Sequence, residues 1–446
     1  MKQQCTTRSA KALSGLLVRH GWMGLMLAAS PAMAMTLVDE SEQTINLNIE
    51  AGVGQFHSGE RYNVLGGSEE GSADWTEGYL NLELQGEQKL SNSALYGGIG
   101  TVTSFVAGDG DAAGFSDGSE SKTDLERLYV GWKSGSLIAA LPENGLDLSV
   151  GQQNFVVGDG FIINSDGLNG GKGLGDDYNR GGGYYMAPRR SFDQTFIARV
   201  QASESVKADL FYLDSGNALQ GEVNLTGANV EYSQAWGTVG AMAVSAESTG
   251  DFAQEKRDGQ STTSVRYQGN AGVEGLFLSS ELVTQSQGDS SDDGSAGYVE
   301  AGWTFAEAPY APVVTYRYSH FSENYDPLLY GFNRGFGTWF QGEVTGNYAG
   351  PFSTNADIHH LGLKASLAEN LTLGANGFVY SAVSTDDNDY SGTELDFYAE
   401  YFPNENFLIT PLLGLYTPDE SSANGGSQIG STDTNVYAQM MVIAFY

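Results

Sequence analysis

Near its amino end the chain reads Ile45-Asn46-Leu47-Asn48-Ile49-Glu50-Ala51-Gly52-Val53, with an apolar residue at every odd position. Alternate residues of a strand point to opposite faces, so one face of this segment is apolar and the other is polar. The pattern returns along the chain, for example in Leu395, Phe397, Ala399 and Tyr401, which alternate with Glu394, Asp396, Tyr398 and Glu400. Such carboxylates could not enter a dry sandwich core without a large desolvation cost. We therefore predict an all-β fold, a transmembrane antiparallel β-barrel of the bacterial outer membrane, with lipid outside and water inside.

Glycine and aromatic residues are abundant, with 60 Gly, 24 Tyr and 21 Phe against 10 Pro. These levels fit barrel strands whose aromatic side chains gather at the membrane interfaces. The last alternating stretch, from Val436 on, ends in the aromatic Tyr446. A final strand of this kind looks like the signal by which barrel-insertion machinery recognises its substrates. That machinery is a predicted partner, together with outer-membrane lipid and lipopolysaccharide.

The amino end predicts export. Residues 1–34 carry four basic residues and no acidic one, then an apolar stretch, and they end in Ala32-Met33-Ala34. This is the order of a cleaved signal peptide, which predicts a mature chain starting at Met35; an uncleaved anchor is the alternative, but the apolar stretch is too short to span a bilayer. Cleavage also removes Cys5, so the mature chain has no disulfide, thiolate metal site or cysteine nucleophile.

Charge excludes one class of partner. With the signal peptide removed, 17 basic residues face 55 acidic ones, a net charge of −38. Such a chain has no natural affinity for nucleic acid, because the phosphate backbone would repel it.

Short and long connections alternate along the chain, as they do when short turns face the periplasm and long loops face outward. A simple count gives about 19 strands, whereas bacterial single-chain barrels have an even number. If Gly337 to Ala349 were a strand, every later long loop would fall on the wrong side. Treating 322–356 as one long loop restores the alternation and leaves about 18 strands, enough to enclose an aqueous channel. Residues 35–446 then form a single barrel with inserted loops at 158–190 and 322–356.

These two loops are the predicted constriction. Aromatic side chains occur throughout both, so we expect ordered loops folded into the barrel, where they narrow the pore. Basic residues either alternate inward on strands or lie in or beside the loops, and a ladder of arginines would bind and pass anionic solutes. The alternative is that each arginine pairs with one of the abundant carboxylates. The predicted pore residues are Arg127, Arg180, Arg189, Arg190, Arg199, Arg266, Arg317, Arg334, Asp159 and Glu343.

Neither a cofactor nor a catalytic site is predicted. Asp159, Asp176, Asp177 and the run Asp386-Asp387-Asn388-Asp389 could hold calcium, but their spacing is not that of an EF-hand loop, and solvated loop charge is the simpler interpretation. The histidines of the mature chain are His57, His320, His359 and His360, and no partner for nucleophilic catalysis stands out in the sequence around them. We therefore expect no metal site and no enzyme activity.

Three stretches resemble the alginate export family of outer-membrane proteins. They are Leu148-Ser149-Val150-Gly151-Gln152-Gln153-Asn154-Phe155, Asp326-Pro327-Leu328-Leu329-Tyr330-Gly331 and Gly337-Thr338-Trp339-Phe340-Gln341-Gly342-Glu343. The resemblance implies a monomeric barrel of similar size and, in the family's polysaccharide exporter, an arginine-lined constriction. Gln152 stands where an arginine often follows the glycine, and the strongly acidic chain does not suit a polyanion.

Three functions follow in order of preference. The first is a porin-like channel for small hydrophilic solutes, anionic ones among the candidates, working by passive diffusion. The second is an export channel for an exopolysaccharide. The third is a non-conducting barrel that anchors acidic surface loops.

Overall fold

The computed structural model describes residues 34–250, 257–287, 293–334, 341–386 and 388–446. The predicted signal peptide and the stretch 337–340 lie outside these residues. The strands are β1 (Met35–Asp39), β2 (Gln43–Ser58), β3 (Ala73–Lys89), β4 (Ala94–Gly108), β5 (Ser121–Lys133), β6 (Leu146–Gln153), β7 (Phe192–Gln201), β8 (Val206–Asp214), β9 (Val223–Gln234), β10 (Gly237–Ser248), β11 (Gln260–Gly269), β12 (Leu276–Gln287), β13 (Gly294–Thr304), β14 (Val313–Phe321), β15 (Ala356–Ala368), β16 (Leu371–Ala382), β17 (Gly392–Asn404), β18 (Phe407–Pro418) and β19 (Asn435–Phe445).

Helical segments are short and lie in connections. In the part of the chain that the structure describes, four are 3₁₀ turns, at Lys172–Leu174, Asp176–Tyr178, Ala218–Gln220 and Ser422–Asn424, and one is a π-helical turn, at Thr345–Ala349. Among the described residues, no helix has the length and apolar character needed to cross a bilayer.

Each strand from β2 to β19 pairs antiparallel with its sequence neighbours, and β19 pairs with β2, from Tyr437 opposite Ser58 to Phe445 opposite Glu50. The result is a closed antiparallel barrel of 18 strands, β2 to β19, which confirms the predicted fold class. Closure leaves none of these strands as an open edge. The short β1 pairs with the first half of β2, Met35 lying opposite Leu47, on the edge that β19 leaves uncovered.

The barrel wall is apolar outside and polar inside. Leu282 on β12 is 60% exposed, whereas its neighbour Glu281 is 3% exposed. A soluble β-sandwich has the opposite distribution, with apolar residues inside. In a membrane barrel the outward side chains contact lipid and are therefore apolar. Exposed aromatic side chains gather near the short turns, including Trp236, Trp303, Phe305, Tyr310 and Tyr446. They mark one membrane interface.

The connections alternate as the sequence predicts, with two longer members on the side of the short turns. These are 134–145 between β5 and β6 and 305–312 between β13 and β14. We call this side the turn side and the opposite end the loop side. On the loop side, loop A (154–191) joins β6 to β7 and loop B (322–355) joins β14 to β15. In the described part of loop B the backbone forms the π-helical turn and no strand.

A bulge in β5 changes the alternation at one place. Gly100 pairs with Arg127 and Thr101 with Leu125, so Glu126 is an extra residue. Because a bulge places two residues opposite one, the Glu126 side chain is turned away from the lipid-facing row and is 3% exposed. There it accepts the backbone N–H groups of Arg190 at 2.7 Å and Ser191 at 2.9 Å, at the end of loop A.

Candidate channel constriction

Loops A and B fold into the barrel and contact each other. Asn164 donates its backbone N–H to the Leu329 carbonyl at 2.8 Å, and Gly331 donates to the Gly160 carbonyl at 2.8 Å. Apolar side chains from both loops are buried against inward residues of the wall; those of loop A include Phe161, Ile162 and Ile163, and those of loop B include Leu328, Leu329 and Phe332. The two loops therefore form one packed body that fills part of the barrel cross-section.

Arg334 of loop B ties this body to the wall. Its guanidinium lies 2.9 Å from the Asp159 carboxylate of loop A and 3.1 Å from Glu300 on β13. Burial alone would raise the pKa of Asp159, but the Arg334 charge outweighs it and the pKa is lowered. Burial would lower the pKa of Arg334, and the two carboxylates instead raise it. Both groups are charged at neutral pH.

Glu300 also pairs with Arg317 of β14, at 3.4 Å. The Phe332 ring lies beside both guanidinium groups, 4.9 Å from Arg317 and 4.7 Å from Arg334 to the ring centroid. Cation–π contacts of this kind strengthen in a desolvated setting. The structure therefore brings three predicted site residues, Asp159, Arg317 and Arg334, together with Glu300, and their charges are mutually compensated.

Three further predicted arginines are held by protein groups. Arg266 lies 2.7 Å from the Glu231 carboxylate, and Arg180 lies 3.1 Å from Asp166. Arg189 is 3% exposed and donates to the Lys122 carbonyl at 2.8 Å. Burial lowers the pKa of Arg189. Arg266 and Arg180 thus show the carboxylate pairing that the sequence left open as an alternative, whereas Arg189 is held by backbone carbonyl groups and the Ser104 hydroxyl.

Among the described residues, Arg127, Arg190 and Arg199 have neither a carboxylate partner nor, unlike Arg189, a side-chain hydrogen bond to the protein. Within the described residues, none of the three has a carboxylate within 4.0 Å, and the Nε atoms of Arg127 and Arg190 are buried without a hydrogen-bond partner. Arg127 and Arg199 occupy inward positions of β5 and β7, and Arg190 ends loop A. Burial lowers the pKa of Arg190, with Glu50 and Tyr79 opposing this effect and Arg127 adding to it. We call these three residues the unpaired arginines.

Glu343 anchors the loops and does not face open water. It is 3% exposed, and its carboxylate accepts a short hydrogen bond from the Tyr185 hydroxyl of loop A. Backbone N–H groups of Glu343, Val344 and Thr345 donate to Glu394 on β17 at 2.7, 2.8 and 2.9 Å. Burial raises the pKa of Glu343 to about 8, with Glu394 adding to this rise and the Tyr185 hydrogen bond opposing it.

Sequence reasoning missed two further anchors. Arg257, between β10 and β11, makes a bidentate pair with Asp326 of loop B at 2.8 and 2.9 Å. Glu77 on β3 is fully buried and accepts the backbone N–H of Met186 in loop A at 3.0 Å. The signal for Glu77 was present, since it alternates inward in a strand, but its partner lies 109 residues away. No sequence pattern identified that partner.

The predicted cation ligands and histidines do not converge. In the described part of the chain no group of three or more His, Cys, Asp or Glu side chains has the geometry of a metal site. Asp176 and Asp177 are exposed on a short 3₁₀ turn, and Asp387 lies outside the described residues. His57 pairs with Asp74 and His320 with Asp357, each at 2.8 Å, whereas His360 is buried and contacts Asn376 at 3.0 Å.

Comparison with known proteins gives a fold and no family. No family model matches the sequence, and no curated protein matches it. Solved structures do match. A BenF-like porin from Pseudomonas fluorescens Pf-5 has a TM-score of 0.57 at 10% identity, covering 90% of this chain and 98% of that one. The chain has a porin-type fold.

Two other similar structures agree. Acinetobacter baumannii OccAB4 has a TM-score of 0.56 at 9% identity, and Pseudomonas aeruginosa OccK7 (OpdD) has a TM-score of 0.54 at 12% identity. Each match covers 90% of this chain and 98% of the other. The resemblance to the alginate export family is not supported by these matches, which bear out the coarser prediction of a porin-like barrel.

Proposed function

We propose that this protein is a porin-like channel of the bacterial outer membrane that passes small hydrophilic solutes by passive diffusion, with a preference for anions. A closed barrel of 18 strands is wide enough for an aqueous path, and its inner wall is polar. Loops A and B narrow that path. We propose in addition that the chain is exported by a signal peptide cleaved after Ala34, and that its last strand, ending near Tyr446, is recognised by the insertion machinery.

The proposed preference for anions rests on one observation. Some arginines are paired with carboxylates, and the unpaired arginines are not. Arg180, Arg266, Arg317 and Arg334 are neutralised by carboxylates within 4.0 Å. The unpaired arginines have no such partner in the described part, so no direct ion pair neutralises their positive charges, which can attract a passing carboxylate or phosphate.

The nearby carboxylates set a limit on how strongly an anion is held. Glu50 lies close enough to influence Arg190, and Asp147 pairs in register with Arg199 across β6 and β7. Conduction needs binding that is favourable enough to enter and weak enough to leave. Nearby carboxylates partly offset the positive charge of these arginines. An anion is then bound weakly enough to move on through the channel.

Liposome swelling tests the proposal. Vesicles with the reconstituted protein are exposed to isotonic anionic or neutral solutes of similar size, and the rate of swelling is measured. We expect faster entry of the anion, and loss of this preference in the triple variant Arg127→Gln, Arg190→Gln, Arg199→Gln. Arg61→Gln, a change of the same charge at an exposed loop residue, is the matched control.

Equal rates for the two solutes in the unaltered protein would refute the anion preference, and no swelling would refute the channel. Block of entry by uronate oligomers at low concentration would favour the exopolysaccharide channel instead.

A further inference from the structure

A groove crosses the outer face of the barrel, away from the channel. It has a volume of about 300 Å³ and is lined by Leu282, Ser295, Gly297, Val299, Tyr318 and His320, together with neighbouring backbone. Leu282 and Val299 are more than half exposed, so the groove opens to the lipid side and not to the lumen. Its volume is at the lower end of the range for small-ligand sites. We call it the rim groove.

The groove exists because the outward-facing residues of β13 have small side chains at this point. Gly297 lies opposite Leu282 on β12 and opposite His320 on β14. A Cβ at Gly297 would come within 2.8 Å of the Leu282 side chain and 2.7 Å of the Glu281 carbonyl, so only glycine leaves this floor open. Ser295, two residues further toward the loop side, keeps the depression shallow and continuous with the lipid-facing wall.

The loop-side end of the groove is polar. The His320 Nδ1 atom lies 2.8 Å from the Asp357 carboxylate, which also accepts the Tyr318 hydroxyl at 2.6 Å. Next to it, the His359 Nδ1 atom lies 2.7 Å from the Tyr316 hydroxyl. Because these contacts use Nδ1 and fix both rings, the Nε2 edges are turned to the surroundings, and the His320 side chain is 40% exposed.

We propose that the rim groove binds a phosphorylated glycolipid of the outer leaflet, the class to which lipopolysaccharide belongs. One acyl chain would lie between Leu282 and Val299, and the phosphorylated sugar would meet His320 and His359 at the rim. The positions along the strands match the layers of the outer leaflet. The apolar residues lie midway along their strands, at the level of the acyl chains, and the histidines lie toward the long loops, which face outward. His359 can accept the Tyr316 hydroxyl at Nδ1 and then has an Nε2–H donor for a phosphate oxygen, whereas His320 donates its Nδ1–H to Asp357 and offers an Nε2–H donor in its protonated form.

Lipid is the occupant that the position favours. The groove is continuous with the exposed apolar wall, which already contacts lipid on every side, and it has a polar end only where the headgroups lie. An apolar partner protein would need no such end. His57 and Asp74 form the same kind of pair on the outward face of β2, at 2.8 Å, and neither residue lines the rim groove. That pair is a built-in control.

Native mass spectrometry of the detergent-solubilised full chain, incubated with purified lipopolysaccharide, tests the proposal. We expect His320→Ala to weaken retention of one lipopolysaccharide about tenfold, equal to about 1.4 kcal/mol. Ser295→Phe, which fills the groove and leaves both histidines in the sequence, is expected to have a similar effect. His57→Ala should leave retention unchanged. Heat-modifiable migration in gels shows that each variant is folded.

Any of three results would overturn the proposal. The first is an equal loss in His57→Ala, which would show general attraction to the rim. The second is equal retention of phosphatidylglycerol, which would show apolar adhesion without recognition of the glycolipid. The third is a dimer of the chain that forms through the rim groove, with no lipopolysaccharide bound there. Solute entry should be the same in all these variants, so the outcome is independent of the proposed channel function.

Discussion

Ionisation of Glu343 should loosen the packing of loop B. This carboxyl group is buried between the Tyr185 hydroxyl and the Glu394 carboxylate, and its pKa is raised from 4.5 to about 8. A raised pKa means that the packed state holds a proton that the open state releases. Stability of the packed loop is therefore highest below pH 4.5, falls as the pH rises, and reaches its lower plateau above pH 8.

The magnitude follows from the size of the pKa shift. Each unit corresponds to about 1.4 kcal/mol, so packing of the loop loses on the order of 5 kcal/mol between the two plateaus. At pH 7 about 70% of this loss has already occurred. Asp396, 1% exposed on β17, lies close to the same site and would be repelled further once Glu343 is charged.

Hydrogen exchange of the amides of residues 343–350 at pH 5 and pH 9 measures this directly, after correction for the intrinsic pH dependence of exchange. Protection should be much lower at pH 9 in the unaltered protein. Glu343→Gln cannot ionise and should flatten the difference, whereas Glu405→Gln, at an exposed turn, should keep it. If Glu343→Gln retained the full pH dependence, the assignment of this titration to Glu343 would be refuted.

Three further predictions concern stability. Arg257→Ala leaves Asp326 buried without its bidentate partner and should cost about 3–5 kcal/mol, measured as faster proteolysis of loop B, while Arg61→Ala should not change the rate. Leu361→Arg puts a charge on the lipid face, where Leu361 is 59% exposed, and should lower folding stability in vesicles by about 2–4 kcal/mol; an equal stability would contradict the placement of lipid. Gly374→Ala places a methyl group within 2.1 Å of the Tyr398 ring and should cost about 1–3 kcal/mol in urea unfolding, an effect that Tyr398→Ala should relieve.

The sequence alone predicts the wall of this barrel well, for a physical reason. Lipid outside and water inside impose the period of two on every strand, so Leu395 and Glu394 reveal their faces without any knowledge of their neighbours. The number of strands followed from the alternation of connections, which depends only on the two sides of a membrane. The longer turns at 134–145 and 305–312 did not disturb the count, because it rests on order and not on exact length.

The interior could be predicted only in part. Alternation placed Arg127, Arg199, Arg266 and Arg317 inside, but it could not tell which of them meet a carboxylate. Arg266 meets Glu231 and Arg317 meets Glu300 because of register between strands, and Arg334 meets Asp159 because two loops cross. The bulge that turns Glu126 inward also breaks the local period. Such contacts depend on tertiary structure, and a single sequence does not record them.

The channel and its preference are tested most directly by the reversal potential of the reconstituted protein in a planar bilayer under a potassium chloride gradient. The unpaired arginines predict a reversal potential that is displaced from zero toward the equilibrium potential of chloride. They also predict that replacing Arg127, Arg190 and Arg199 by Gln shifts the reversal potential toward the equilibrium potential of potassium. Arg61→Gln should leave the reversal potential unchanged. No conductance, or a reversal potential that the triple variant leaves unchanged, would contradict the account.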